Sequence, residues 1–133
     1  MNPGRGMAQA AHAANQCVFE HRSSKEIKNW QDDANGFGTT ICLSANKQEI
    51  HRIIKAAKRN NACVGLVFDP TYKYSVDSEV ANVIPSSAST AEPIFQSNGL
   101  VVLFRNELTC GYVFVLDGDA EQKELVAALP LHP

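Results

Sequence analysis

Arg5, Gln9, His12 and Gln16 follow one another at spacings of four, three and four residues, which puts them on one face of a helix. That helix would start at Pro3-Gly4-Arg5-Gly6, a glycine-rich turn. Unpaired backbone N–H groups and the helix dipole at such a start favour a phosphate or an oxyanion. The Arg5 guanidinium adds a forked donor. Gly4 and Gly6 are therefore candidate anion-binding positions, although a plain helix entry has the same residues. His12 suits either proton transfer or a hydrogen bond within the fold.

Asp69 is the second candidate. It closes an apolar run, residues 62–68, read as a strand parallel to its neighbour. In open α/β sheets, ligands bind just beyond such strand ends. Pro70 holds Asp69 in extended geometry. A carboxylate placed there can act as a general base; it can equally close an Asx-turn with Thr71 and Tyr72. Thr109 opens the last strand, where a hydroxyl could donate to an oxyanion or orient a water. His51, Arg52, Lys55, Lys58 and Arg59 gather on one further helix. Such a set can track a nucleic-acid backbone, or it can be the solvated face of an amphipathic helix. The chain has no nucleophile elbow, Walker loop or H-E-x-x-H, which excludes the familiar hydrolase and NTPase classes.

These residues need elements to hold them. Residues 4–22 read as a helix with Met7, Ala11, Ala14 and Val18 as its core stripe. Ser23-Ser24 caps a short second helix ending near Asp33. Residues 38–44 are β-branched and apolar, hence a strand. Asn46 and Glu49 form a capping box for a third helix, which buries Ile50, Ile53, Ile54 and Ala57 and stops at Asn60-Asn61. The strand over 62–68 is continuous in apolar character and is expected to be buried on both faces. Residues 70–98 read as a loop-rich insertion with Pro70, Pro85, Pro93 and the run Ser86-Ser87-Ala88-Ser89-Thr90. Strands over 99–104 and 108–116 flank a turn at Arg105-Asn106-Glu107, and residues 120–129 close the chain as a helix. Helices alternating with strands give an α/β class, here a three-layer α/β/α domain with a small mixed β-sheet over residues 1–133.

The composition fits one such domain. Of 133 residues, 44% are apolar and 20% charged, which excludes collagen-like, coiled-coil and disordered classes. No stretch of 18 apolar residues exists to span a membrane, and the start lacks the apolar core of a signal peptide, so a cytoplasmic protein is expected. Cys17, Cys42, Cys63 and Cys110 show no metal-ligand spacing and read as buried free thiols. The net charge of −2 is unevenly spread. Residues 1–60 carry nine Lys or Arg against five acids, and residues 61–133 carry three against nine. A basic half suggests an anionic partner.

The segment Gly4-Arg5-Gly6-Met7-Ala8-Gln9-Ala10-Ala11-His12-Ala13-Ala14 resembles the signature of type II peptidyl-tRNA hydrolases, a glycine and a basic residue followed by A-Q-x-x-H-A. Trp30 in a short second helix, the strand-helix-strand ending in Asp69, and Thr109 opening the final strand follow in the family's order. The resemblance implies cleavage of the ester joining a peptide to the tRNA 3′ ribose, with no metal and no cofactor. It implies Asp69, His12, Arg5 and Thr109 as the catalytic set, and Gly4, Gly6, Gln9, Thr71, Lys55, Lys58 and Arg59 as substrate contacts. The implied partner is peptidyl-tRNA and not a membrane; a homodimer is left open. The sequence departs from the family in three places. Arg5 stands where a lysine is usual, and arginine cannot act as a base, so only a binding role transfers. Asp69-Pro70-Thr71-Tyr72-Lys73 replaces D-A-G-x-T, as in a divergent phage or bacterial branch, with Thr71 as substitute for the second threonine. The strand that usually precedes the glycine turn is not in the sequence. The alternative reading is a catalytically decayed RNA- or protein-binding module of the same fold.

Overall fold

A computed structural model describes residues 3–36, 38–85, 88–116 and 118–132; Ser86-Ser87 of the serine-rich run lie outside the described residues. The elements are α1 (Pro3–Glu20), α2 (Lys25–Asp32), a 3₁₀ turn (Ala34–Gly36), α3 (Lys47–Arg59), β1 (Cys63–Asp77), α4 (Ser78–Val83), β2 (Ile94–Phe95), β3 (Leu100–Phe114) and α5 (Ala120–Val126). The α/β class is as expected. The sheet is three-stranded and antiparallel, in the order β1-β3-β2, where a mixed sheet was expected. The parallel partner would have been the strand over 38–44. That segment makes one isolated bridge instead, Leu43 with Leu131, flanked by Ser44 N–H to the Pro130 carbonyl at 2.8 Å and His132 N–H to the Cys42 carbonyl at 3.0 Å. Its backbone groups are taken by residues 130–132, so Ile41 and Cys42 stand exposed. Cys17 is the buried thiol; Cys63 and Cys110 are half-buried, and none of the four is in a disulfide.

The helix ends follow local chemistry. The Ser24 hydroxyl accepts from Ile27 N–H at 3.3 Å to start α2. At α3 both halves of the capping box are made, Glu49 N–H to Asn46 Oδ1 at 2.9 Å and Asn46 N–H to Glu49 Oε2 at 2.8 Å, which stabilises the helix by about 1 kcal/mol. The helix ends at Asn60, and Asn61 takes a left-handed φ of 56°. Ile53 and Ala57 are buried, and Ile50 and Ile54 are half-buried against Gly111 of β3. Asp119 caps α5, whose Gln122 is buried and accepts from Leu116 N–H at 3.3 Å.

The chain forms two compact units, residues 1–67 with 110–133, and residues 68–109. In the first, Ala13, Cys17, Ile27, Val67 and Tyr112 make the core, with Val18, Cys110 and Phe114 packed against it. The buried stripe of α1 is thus Gln9, Ala13 and Cys17. The expected stripe is displaced: Met7 is 71% exposed and Ala11 is exposed. Alanine is nearly neutral about which side it buries, so an alanine-rich helix specifies its inner face weakly, and contacts with the strands decide. Cys110 Sγ donates to the Gln9 carbonyl at 3.3 Å and Gln16 Nε2 to the Leu66 carbonyl at 3.2 Å.

In the second unit the expected loop is partly regular. β1 does not stop at Asp69 but runs on to Asp77, α4 follows, and β2 pairs with β3. Pro70 lies in β1, an edge strand, which is where a sheet accommodates a residue without an N–H. The hairpin turn lies at residues 96–100, where Gly99 takes φ 79° and Gln96 N–H reaches the Leu100 carbonyl at 2.8 Å. The register is Ile94 with Val102 and Phe95 with Val101. No turn forms at Arg105-Asn106-Glu107: β3 runs through these residues from Leu100 to Phe114.

Candidate active site

Arg5, Gln9, His12 and Gln16 all lie on α1, in the first unit. Arg5 and His12 are exposed, Gln16 is half-buried and Gln9 is buried. The stripe therefore does not form one solvent-facing row. Its glutamines turn toward the fold: Gln16 bridges the Leu66 carbonyl of β1 and Glu20 Oε1, the latter at 2.8 Å. Gln9 is buried, at 6% exposure. Gly4 is exposed and Gly6 half-buried in the first turn. The His132 ring occupies the space where a Gly6 side chain would project, 2.7 Å from an ideal Cβ. This imidazole at the glycine turn has no signal in the sequence, because residue 132 is far from the motif.

Asp69, Thr71 and Thr109 belong to the second unit, on the neighbouring strands β1 and β3. Asp69 is half-buried and Thr71 exposed. The Asp69 Oδ1 oxygen accepts twice from Thr71, from the backbone N–H at 2.9 Å and from the hydroxyl at 3.1 Å. This is the Asx-turn foreseen as the structural alternative for Asp69, set inside a continuing strand. It does not compete with a catalytic role. Two donors on one oxygen fix the carboxylate's orientation, which is what a positioned general base requires. Thr109 is half-buried in mid-strand rather than at a strand start.

Lys55, Lys58 and Arg59 are exposed together on α3 with His51 and Arg52. Lys58 and Arg59 sit in its last turn, where cations complement the helix dipole.

One polar cluster of the first unit went unread in the sequence. The Tyr112 hydroxyl donates to Glu20 Oε2 and lies 3.2 Å from His21 Nε2. Burial first, and the Glu20 carboxylate second, push the phenol well above the usual tyrosine range. Burial likewise pushes the Cys17 thiol up to about 11, with Cys63 and Glu20 adding to it, and raises Cys63. Neither of these thiols is set up as a nucleophile near neutral pH. Among the described residues no group of three His, Cys, Asp or Glu could hold a metal ion, and no helix is long and apolar enough to cross a membrane.

Comparison with curated proteins and with solved structures finds no match. The family comparison matches peptidyl-tRNA hydrolase PTH2 over residues 1–97. The match takes in Arg5, His12, the basic face of α3, Asp69 and Thr71, and it stops short of Thr109. With 97 of its 133 residues matched, the chain belongs to the peptidyl-tRNA hydrolase PTH2 family.

Proposed function

We propose that the chain hydrolyses the ester between a peptide and the 3′ ribose of tRNA, with Asp69 as the general base. The observation that carries this reading is the Asp69 carboxylate held by two hydrogen bonds from Thr71, within the matched family segment. Asp69 takes a proton from a water, the water oxygen attacks the ester carbonyl carbon, and the bond to the ribose oxygen breaks as that oxygen is reprotonated. Arg5 and the backbone N–H groups in the first turn of α1 supply donors for a phosphate or for the negative charge on the carbonyl oxygen. The Thr109 hydroxyl is a further donor of this kind. His12 moves a proton or steadies its neighbours. Lys55, Lys58 and Arg59 contact phosphates of the acceptor stem, which positions the RNA without reading its sequence.

Thr71 has a different role from the one its family position implies. Its two donors are committed to Asp69, so it acts as a positioning residue. The activity is tested by release of labelled peptide from a peptidyl-tRNA. Release that depends on Asp69 supports the hydrolase; binding of the RNA without release identifies a decayed module.

A further inference from the structure

The second unit carries an aromatic face that the hydrolysis does not use. Tyr72 and Tyr74 are two residues apart on β1, and their rings meet edge to face with centroids 5.3 Å apart at 61°. The Arg105 guanidinium on β3 lies over the Tyr74 ring, 5.1 Å from its centroid. The Tyr74 hydroxyl donates to Glu107, two residues beyond Arg105 on the same side of β3. Alternation along β1 puts Asp69, Thr71 and Lys73 on the opposite side. Lys73 indeed reaches a different ring, Phe104, at 5.9 Å. The two tyrosines are half-buried and Arg105 is exposed.

We infer that Tyr72, Tyr74 and Arg105 form a stacking platform for unpaired RNA nucleotides, separate from the side of β1 that bears Asp69. Single-stranded nucleic acid is held by bases lying on aromatic rings and on guanidinium planes, without regard to sequence. A two-residue tyrosine repeat with an arginine over one ring offers this surface. A protein-docking patch would be built around an apolar centre; here each aromatic ring bears a polar tip and the neighbouring group is a cation. The charge balance refines the inference. Residues 68–109 hold Lys73 and Arg105 against Asp69, Asp77, Glu79, Glu92 and Glu107. Affinity at this face therefore comes from stacking more than from phosphate neutralisation. Its salt dependence is correspondingly shallow, near one phosphate, with a log–log slope of roughly −0.7. The inference rests on the hydrolase reading only for the kind of ligand, an RNA with unpaired nucleotides.

The test is fluorescence anisotropy of a labelled hexauridylate with the full chain, each variant first shown folded by thermal melting. Tyr72→Ala is expected to weaken binding roughly 5- to 100-fold, the loss of about one stacked base. Arg105→Ala weakens it as well. Tyr74→Phe keeps the ring and keeps the affinity, and Lys73→Ala, on the other side, changes it less than about twofold. If Tyr72→Ala does not fold, Tyr72→Leu removes the π-face while keeping apolar bulk and gives the same loss. Binding by Tyr72→Leu and Arg105→Ala equal to that of the unaltered protein overturns the inference. So does an equal loss in Lys73→Ala, which would make the effect one of charge alone. An unaltered protein that does not bind the oligonucleotide overturns it too, and leaves the face to a protein partner. No ester is present in this assay. Oligonucleotide binding without peptide release overturns the hydrolase reading and spares this one, and peptide release without oligonucleotide binding does the reverse.

Discussion

Replacing Thr71 by Val separates its two candidate roles. Valine keeps the β-branched shape and the backbone N–H, so the 2.9 Å bond to Asp69 Oδ1 survives and the 3.1 Å hydroxyl bond is lost. One of the donors that orient the carboxylate is then gone. A single hydrogen bond contributes about 0.5–1.5 kcal/mol net, and Thr71 is exposed, so the lower half of that range applies. If that energy is what holds Asp69 in its productive orientation, kcat falls by roughly 2- to 5-fold at an unchanged KM. Thr71→Ser retains the hydroxyl and restores kcat. The assay is steady-state release of peptide from peptidyl-tRNA over a range of substrate concentrations. A raised KM with kcat unchanged would show that Thr71 touches the substrate, and equal impairment of the Val and Ser variants would show that its hydroxyl does not position Asp69. Either result overturns the positioning role of the Thr71 hydroxyl.

Gly65→Ala is expected to destabilise, although alanine usually outdoes glycine in a folded chain. Its Cβ would lie 2.5 Å from the ring and hydroxyl of Tyr112, which Glu20 and His21 hold in place. Overpacking of this kind costs about 1–3 kcal/mol, a drop in Tm of roughly 4–15 °C by calorimetry; an unchanged Tm would mean that Tyr112 moves freely. Alkylation with iodoacetamide at pH 8 should label exposed Cys42 first and Cys17 last, followed by peptide mass mapping. The folded Cys17 thiol sits above its ordinary value of 9.0, at about 11, so its stabilising share is complete below pH 9 and is lost as pH rises toward 11. Denaturant unfolding at pH 8 and pH 11 reads that loss, and Cys17→Ala should reduce it. Changing Lys55 and Lys58 together to Ala should flatten the log–log salt dependence of tRNA binding by about one to two units; an unchanged slope would make α3 a solvated face.

The sequence was most legible where structure is set by a few adjacent residues. The Asn46–Glu49 capping box, the Ser24 cap and the break at Asn60-Asn61 were readable because each is closed within three residues. Asp69 and Thr71 were readable as a pair for the same reason, although both meanings of the pair stayed open until the two bonds were seen. What failed depended on partners distant in the chain. Residues 38–44 have a strand's composition, yet residues 130–132 take their hydrogen bonds. The inner face of α1 is chosen by β1 and β3, not by its own alanines, so Gln9 and Gln16 of the polar face turn inward while Arg5 and His12 stay exposed. The turn at 105–107 was inferred from polarity alone, with no residue that requires a positive φ, while Gly99 marked the real one. His132 at Gly6, and Tyr112 between Glu20 and His21, join residues some 90 or more positions apart and left no local trace.

The most direct measurement is single-turnover release of labelled peptide from peptidyl-tRNA by the unaltered protein and by Asp69→Asn, each at saturating enzyme. Asparagine keeps the volume and one acceptor oxygen for Thr71 but cannot take a proton from water. Release by the unaltered protein is expected, with a loss of order 10²–10⁴-fold in the variant and nearly equal melting temperatures, since Asp69 is only half-buried. Equal release rates for the two proteins would contradict the assignment of Asp69 as the base.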